Sequence, residues 1–273
     1  MTPDWEHFLI DRFATGRRTK GHASGAKTLG TALPPEARIG AEEVHVWRAA
    51  LDVGEALSSV LECCLAPDER DRADRYRRAA DRARFIAGRG ILRDILARYL
   101  RVAPGSLRFS YTRYGKPHLD ESGGAGGLTF NVSHSRNLAL YAITRRRDVG
   151  IDVEALDRDM ALMELAEKFF SPAEVKSLHA VPEGGQRHAF FRVWTRKEAY
   201  LKACGRGLSL ALDRFSVSAD PDNAVLVDVV DRPEEVERWR FQDLDAGEGY
   251  AAAIAVEGEG WRVVCMDWPG IRE

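Results

Sequence analysis

Apolar and polar positions alternate along Val44–Leu51, VHVWRAAL, with Val44, Val46 and Arg48 on one side, and this predicts a strand. Gly54–Leu65 predicts a helix. Ala66-Pro67-Asp68-Glu69 marks a further helix start, with proline at a first position and acids in the first turn. From Arg70 to Leu100 the chain is rich in arginine, and Phe85, Ile86, Ile91, Leu92, Ile95, Leu96 and Leu100 recur at helical spacing until Pro104-Gly105 breaks the pattern. Short strands are expected over Leu107–Tyr111, Leu128–Val132 and Leu138–Thr144. Tyr114-Gly115-Lys116-Pro117 reads as a turn, Glu121–Gly127 as a glycine-rich loop, and Ser133-His134-Ser135 as the turn of a hairpin.

Val149–Glu154, VGIDVE, predicts another strand, and Ala161–Phe170 a helix ending near a second start signal, Ser171-Pro172-Ala173-Glu174. The glycine-containing loop Pro182–Gly185 follows. In Trp194–Leu210, WTRKEAYLKACGRGLSL, Trp194, Ala199, Tyr200 and Ala203 supply the apolar faces of a helix that Gly205 and Gly207 end. Strands are then expected near Arg214–Ser218, Ala224–Val230, Tyr250–Val256 and Trp261–Met266.

The two runs have the same order of parts. VHVWRAAL answers VGIDVE, Ala66-Pro67-Asp68-Glu69 answers Ser171-Pro172-Ala173-Glu174, and helical stretches led by Phe85 and Phe191 answer each other. Each half closes on a similar apolar strand, LALYAIT and YAAAIAV. The expected fold class is therefore α+β, with two similar subdomains, 44–148 and 149–273, related by a pseudo-two-fold axis and a site in the cleft between them. Residues 1–43 read as a flexible extension in which Trp5, Phe8, Leu9 and Phe13 form a short docking helix.

Composition narrows the function only by exclusion. The chain has 273 residues, 45% of them hydrophobic and 30% charged, which is ordinary for a soluble globular protein. A net charge of −2 gives no support for nucleic-acid binding, and no apolar run is long enough to cross a bilayer. Asp4 and Glu6 interrupt the N-terminus, so no secretory signal is expected and the location is expected to be cytoplasmic. Cys63, Cys64, Cys204 and Cys265 lack metal-type spacing and read as reduced core or near-core thiols.

Asp152 and Glu154 are two apart on a strand, so both carboxylates share one face while Ile151 and Val153 take the other. Such a pair is an exposed strand end or an oxygen-ligand site for a hard dication, which takes one or two carboxylates plus phosphates and water. Glu198 and Lys202 lie four apart on one helical wall, the spacing of a surface ion pair worth a few tenths of a kcal/mol. Glu198 would add a third carboxylate. His134 reads as a turn histidine, Lys116 as a solvated turn lysine, and Arg84, Arg89 and Arg93 as a helix surface salt-bridged with Asp81 and Asp94. No Walker loop, dinucleotide fingerprint or nucleophile elbow is present, so phosphate chemistry would rest on side-chain cations and a metal.

Taken in order, Gly-Lys-Pro, FNVSHS, VGIDVE, FFSPAEV and WTRKEAYLKACGRGLSL resemble the 4′-phosphopantetheinyl transferases of the Sfp type, in the bacterial subgroup with a Trp-x-x-Lys-Glu-Ala helix. The resemblance runs from about Val44 to the C-terminus. It implies a monomeric pseudo-dimer holding coenzyme A and Mg²⁺, or Mn²⁺, between its halves. It also implies transfer of the 4′-phosphopantetheine arm to a serine of an acyl, peptidyl or aryl carrier domain of fatty-acid, polyketide or non-ribosomal peptide synthesis, releasing adenosine 3′,5′-bisphosphate. By the same resemblance Asp152, Glu154 and Glu198 would ligate the metal, Glu198 would act as general base, and Lys202 would hold the pyrophosphate. Ser133, His134, Lys116 and Arg89 match positions that contact coenzyme A, with Arg84 the alternative to Arg89. Some members use two more cations after the first Ser-Pro-like start. Here the stretch reads Pro67-Asp68-Glu69-Arg70-Asp71-Arg72, which leaves Arg70 or Arg72 for that role. A silent coenzyme A or carrier-binding module and a metal-dependent nucleotide phosphodiesterase are the competing functions.

Overall fold

The structure, a computed structural model, describes residues 37–120, 126–158, 161–205 and 210–270. The docking segment expected around Trp5–Phe13, most of the Glu121–Gly127 loop and Gly207 lie outside the described residues. In the first half, β1 (Glu43–Ala50) leads to α1 (Glu55–Cys63), α2 (Pro67–Asp74) and α3 (Ala79–Leu100). Next come a short hairpin, β2 (Phe109–Tyr111) and β3 (Pro117–Leu119), and a long one, β4 (Leu128–Ser135) and β5 (Leu138–Arg145). The second half runs β6 (Val149–Ala155), α4 (Leu162–Phe169), α5 (Pro172–His179) and α6 (Glu183–Cys204). It continues through β7 (Phe215–Val217), β8 (Leu226–Val229), α7 (Glu235–Arg238), β9 (Trp239–Asp243), β10 (Tyr250–Glu257) and β11 (Arg262–Asp267). The fold is mixed α and β, as the hydrophobic pattern predicts.

Two sheets organise it. One has the order β11-β1-β5-β4 and the other β6-β10-β9. Their facing sides share a core of Val44, Val46, Ala142, Ile151, Val153 and Ile254. The outer side of the first sheet, through Trp47, Ala49 and Tyr141, packs on Ile91 and Ile95 of α3. The second half builds its own core from Phe190, Phe191 and Tyr200 of α6 with Phe215 and Trp239. β11 pairs in parallel with β1, His45 opposite Val264, so the last strand of the second half of the sequence completes the first sheet.

Three expectations change. The long helix from Arg70 is two helices with a break at Arg75–Arg78. Glu69 explains it: its buried carboxylate accepts from the Ala66 amide at 2.9 Å and from Arg93 Nε at 2.6 Å, folding α2 back against α3. The expected Pro182–Gly185 loop is the first turn of α6, with Glu183 as its first residue, so the helix begins well before Trp194. Ser133-His134-Ser135 is strand, and the β4–β5 turn lies at Arg136-Asn137. The four cysteines form no disulfide; Cys204 is half-buried against the core of the second half and Cys64 is half-buried, whereas Cys63 and Cys265 are exposed and so not near-core.

Candidate active site

Period-two alternation turns Ile151 and Val153 of β6 into the inter-sheet core and Asp152 and Glu154 toward α6. Gly150 on the same face allows α6 to lie flat on this strand. A Cβ there would stand 2.0 Å from the Ala199 carbonyl oxygen and 2.3 Å from the Ala203 amide nitrogen. This close approach brings Glu198 and Lys202 of α6 over the two carboxylates. Lys202 Nζ donates to Asp152 Oδ1 at 2.7 Å and to Ser133 Oγ at 3.0 Å.

β4 supplies the other wall. Its edge meets β6 through side chains instead of a backbone ladder. Asn131 Oδ1, Ser133 Oγ and Ser135 Oγ accept from the amides of Ile151, Val153 and Ala155 at 2.9, 3.3 and 3.0 Å. The two hydroxyls then donate to the carboxylates, Ser133 to Asp152 Oδ1 and Ser135 to Glu154 Oε2, both at 2.8 Å. This double duty is why three polar residues occupy a strand that their composition assigns in part to a turn. Arg158 Nη2 completes the second set, 2.7 Å from Glu154 Oε2 and 3.2 Å from Ser135 Oγ.

Electrostatics mark the cluster as overloaded with negative charge. Burial, then repulsion from Asp152, pushes the Glu154 carboxyl up to about 7, with Arg158 opposing. The Glu198 carboxyl is likewise pushed up to about 7 by burial and then by Asp152, with Lys202 opposing. Burial pulls the Lys202 ammonium down, but its carboxylate neighbours, Asp152 foremost, hold it above its ordinary value. Asp152 Oδ2 is buried without a hydrogen-bond partner. An orphaned buried oxygen among three carboxylates is the donor chemistry a hard dication satisfies. As the side chains stand, no group of three or more His, Cys, Asp or Glu is spaced to hold a metal among the described residues. Lys202 and Arg158 lie on Asp152 and Glu154 instead.

The remaining candidates divide. Lys116, in the turn between β2 and β3, is a cross-half tie: its Nζ donates to the carbonyls of Val149 at 3.3 Å and of Ala203, near the α6 C-terminus, at 3.1 Å. The burial this requires lowers its pKa. His134 is exposed on the face of β4 opposite Ser133 and Ser135, the face carrying Phe130 and Val132. Arg89 lies apart from the cluster. It is buried, with Nε 3.1 Å from Glu69 Oε1, Nη2 donating to the Tyr111 hydroxyl at 2.7 Å, and its guanidinium 5.0 Å from the Phe109 ring centre. Arg84 is half-buried; its Nη1 donates to Asp81 Oδ1 at 3.1 Å and its Nε to Asn137 Oδ1 at 3.0 Å in the β4–β5 turn, three residues from His134. Sequence reasoning passed over Asn131, Ser135 and Arg158. The first two lie in a stretch with the composition of a turn, and Arg158 carries no pattern at all.

Two segments of the chain match known families. Residues 148–255 match the 4′-phosphopantetheinyl transferase superfamily, and residues 53–145 match the 4′-phosphopantetheinyl transferase N-terminal family. The chain is 40% identical over 229 residues to the 4′-phosphopantetheinyl transferase HetI of Nostoc sp., covering 84% of this chain and 94% of that one. It is 32% identical over 190 residues to the 4′-phosphopantetheinyl transferase Sfp of Bacillus subtilis, covering 70% of this chain and 81% of Sfp. The human L-aminoadipate-semialdehyde dehydrogenase-phosphopantetheinyl transferase is 28% identical over 228 residues, covering 77% of this chain and 74% of its own length.

Proposed function

Because this chain belongs to the 4′-phosphopantetheinyl transferase superfamily and is Sfp-like, we propose that it transfers the 4′-phosphopantetheine arm of coenzyme A to a serine hydroxyl of an acyl, peptidyl or aryl carrier domain. The reaction is Mg²⁺-dependent, with Mn²⁺ a possible substitute, and releases adenosine 3′,5′-bisphosphate. The observation that carries this reading is the triad of buried Asp152 and Glu198 and half-buried Glu154, with Lys202 beside it and one carboxylate oxygen unsatisfied. The chain acts as a monomer in the cytoplasm, its halves meeting near Asp148.

Asp152, Glu154 and Glu198 would hold the dication, which when bound neutralises pyrophosphate charge that otherwise repels a nucleophile. The chain's own residues do the rest. The serine oxygen attacks the phosphorus that bears the pantetheine arm. The bond from that phosphorus to the bridging pyrophosphate oxygen breaks, and adenosine 3′,5′-bisphosphate leaves with the electron pair. Glu198 takes the serine proton. Burial and Asp152 raise the Glu198 carboxyl in the metal-free protein; with a dication held there, closeness to the serine hydroxyl more than basicity would carry this step. Lys202, held by Asp152 and Ser133, is placed to meet charge developing on the leaving group. Ser133 serves by orienting Asp152 and Lys202. His134 and Arg84 serve the nucleotide phosphates from the outer face of β4, a role Arg89 is too deeply paired with Glu69 to fill. Lys116 keeps the C-terminus of α6 in place.

The products separate this reading from its competitors. Incubated with coenzyme A, Mg²⁺ and an apo carrier, the protein is expected to form adenosine 3′,5′-bisphosphate in step with holo carrier, and none when the carrier is left out. Release of that nucleotide without a carrier would instead identify a phosphodiesterase. Coenzyme A binding with no product would identify a silent binding module.

A further inference from the structure

Lys202 and Arg158 stand in matching surroundings. Ser133 Oγ accepts from the Val153 amide and from Lys202, and donates to Asp152. Ser135 Oγ accepts from the Ala155 amide and from Arg158, and donates to Glu154. Each hydroxyl thus uses its proton and both lone pairs, and each sets one cation against one carboxylate. The place of Arg158 is also fixed from behind. Arg187 of α6 donates through Nη1 to the carbonyls of Leu156 at 2.8 Å and of Arg158 at 2.7 Å, pinning the turn that carries the guanidinium. A solvated surface arginine needs no such support.

We propose that Arg158 is the resident counter-ion of Glu154, a positioning residue that neutralises this carboxylate in the metal-free protein and must yield it when a divalent cation enters. The proposal rests on the reading of Asp152, Glu154 and Glu198 as a metal site. Its physical content is competition. A guanidinium 2.7 Å from a ligand oxygen occupies lone pairs the cation needs and repels the cation itself. Lys202 competes at Asp152 in the same way, but it has a second task at the phosphates. Arg158 lies on the solvent side of the pair, with side-chain exposure 25% against 15% for Glu154. Arg158 thereby sets how much divalent cation the site requires and keeps the cluster folded without it.

The test is direct Mn²⁺ binding, by calorimetry or by loss of the free-ion electron paramagnetic resonance signal, on the full chain without coenzyme A or carrier. Arg158→Met is expected to tighten Mn²⁺ binding, by roughly ten-fold on Coulomb grounds, and to lower the thermal midpoint of the metal-free protein. Arg158→Lys retains the charge and is expected to bind Mn²⁺ about as the unaltered protein does. A merely structural arginine predicts the opposite sign, weaker binding in a loosened site. Unchanged or weaker binding by Arg158→Met, with the unaltered protein binding normally, overturns the counter-ion role and leaves the metal site standing. Absence of Mn²⁺ binding by the unaltered protein overturns both.

Discussion

Asp152 illustrates how much one side chain carries here. Its Oδ1 accepts from Ser133 and Lys202, while Oδ2 is buried with no partner. Around it the Glu154 and Glu198 carboxyls are raised from an ordinary value of 4.5 to about 7. The folded, metal-free protein therefore binds more protons than the unfolded chain between about 4.5 and 7. Its stability falls as pH rises through that window and stays low above it. A dication removes the repulsion responsible. Mg²⁺ is accordingly expected to raise the thermal midpoint by several degrees at pH 8 and by little at pH 5. Differential scanning fluorimetry at the two pH values checks this, and an equal Mg²⁺ effect at both would show that these carboxylates do not meet the ion.

At the scale of elements, the site depends on α6 lying directly on β6, and Gly150 is the contact that permits it. An added methyl would meet the backbone of Ala199 and Ala203, which cannot move without moving the helix. Gly150→Ala is expected to cost roughly 1–3 kcal/mol and to reduce transfer more than stability, because Glu198 and Lys202 ride on the displaced helix. Urea unfolding and turnover measured side by side check it, and full turnover would place the active geometry elsewhere. Much of this was legible beforehand. The period of two in VGIDVE put both carboxylates on one face, and the i,i+4 spacing put Glu198 and Lys202 on one wall. The polar row Asn131, Ser133 and Ser135 was not, because side chains substituting for a backbone ladder leave the composition of a turn. Nor was the start of α6, because Gly184 and Gly185 punctuate a sequence even when a helix runs through them. Arg89 and Arg84 sit on one helix with similar neighbours in sequence, and only packing against Glu69 tells the buried one from the half-buried one.

Across the whole molecule the two halves are built alike. Glu69 ties α2 to Arg93 of α3, and Glu174 ties α5 to Lys197 of α6 with both oxygens at 2.7 Å. Asp94 and Arg98 occupy on α3 the places, counted from the helix start, that Glu198 and Lys202 occupy on α6. α3 faces Trp47 and Ala49 of β1, where α6 faces the carboxylates of β6. The ion pair of α3 instead clasps the end of the chain: Trp268 Nε1 donates to Asp94 Oδ2 at 2.7 Å, and Arg98 Nη2 to the Gly270 carbonyl at 2.9 Å. Asp94→Asn is expected to lower the thermal midpoint by a few degrees while leaving kcat unchanged. A fall in kcat without loss of stability would mean that the first half takes part in the chemistry.

The central claim is that Glu198, in the cluster with Asp152, Glu154 and Lys202, drives transfer of phosphopantetheine to a carrier serine. Intact-mass measurement of an apo carrier after incubation with coenzyme A, Mg²⁺ and either the unaltered protein or Glu198→Ala tests it most directly. The account predicts that the carrier gains the mass of one 4′-phosphopantetheine group with the unaltered protein, and that the variant, folded by circular dichroism, is slower by at least about a hundred-fold. An undiminished mass gain with Glu198→Ala would contradict it.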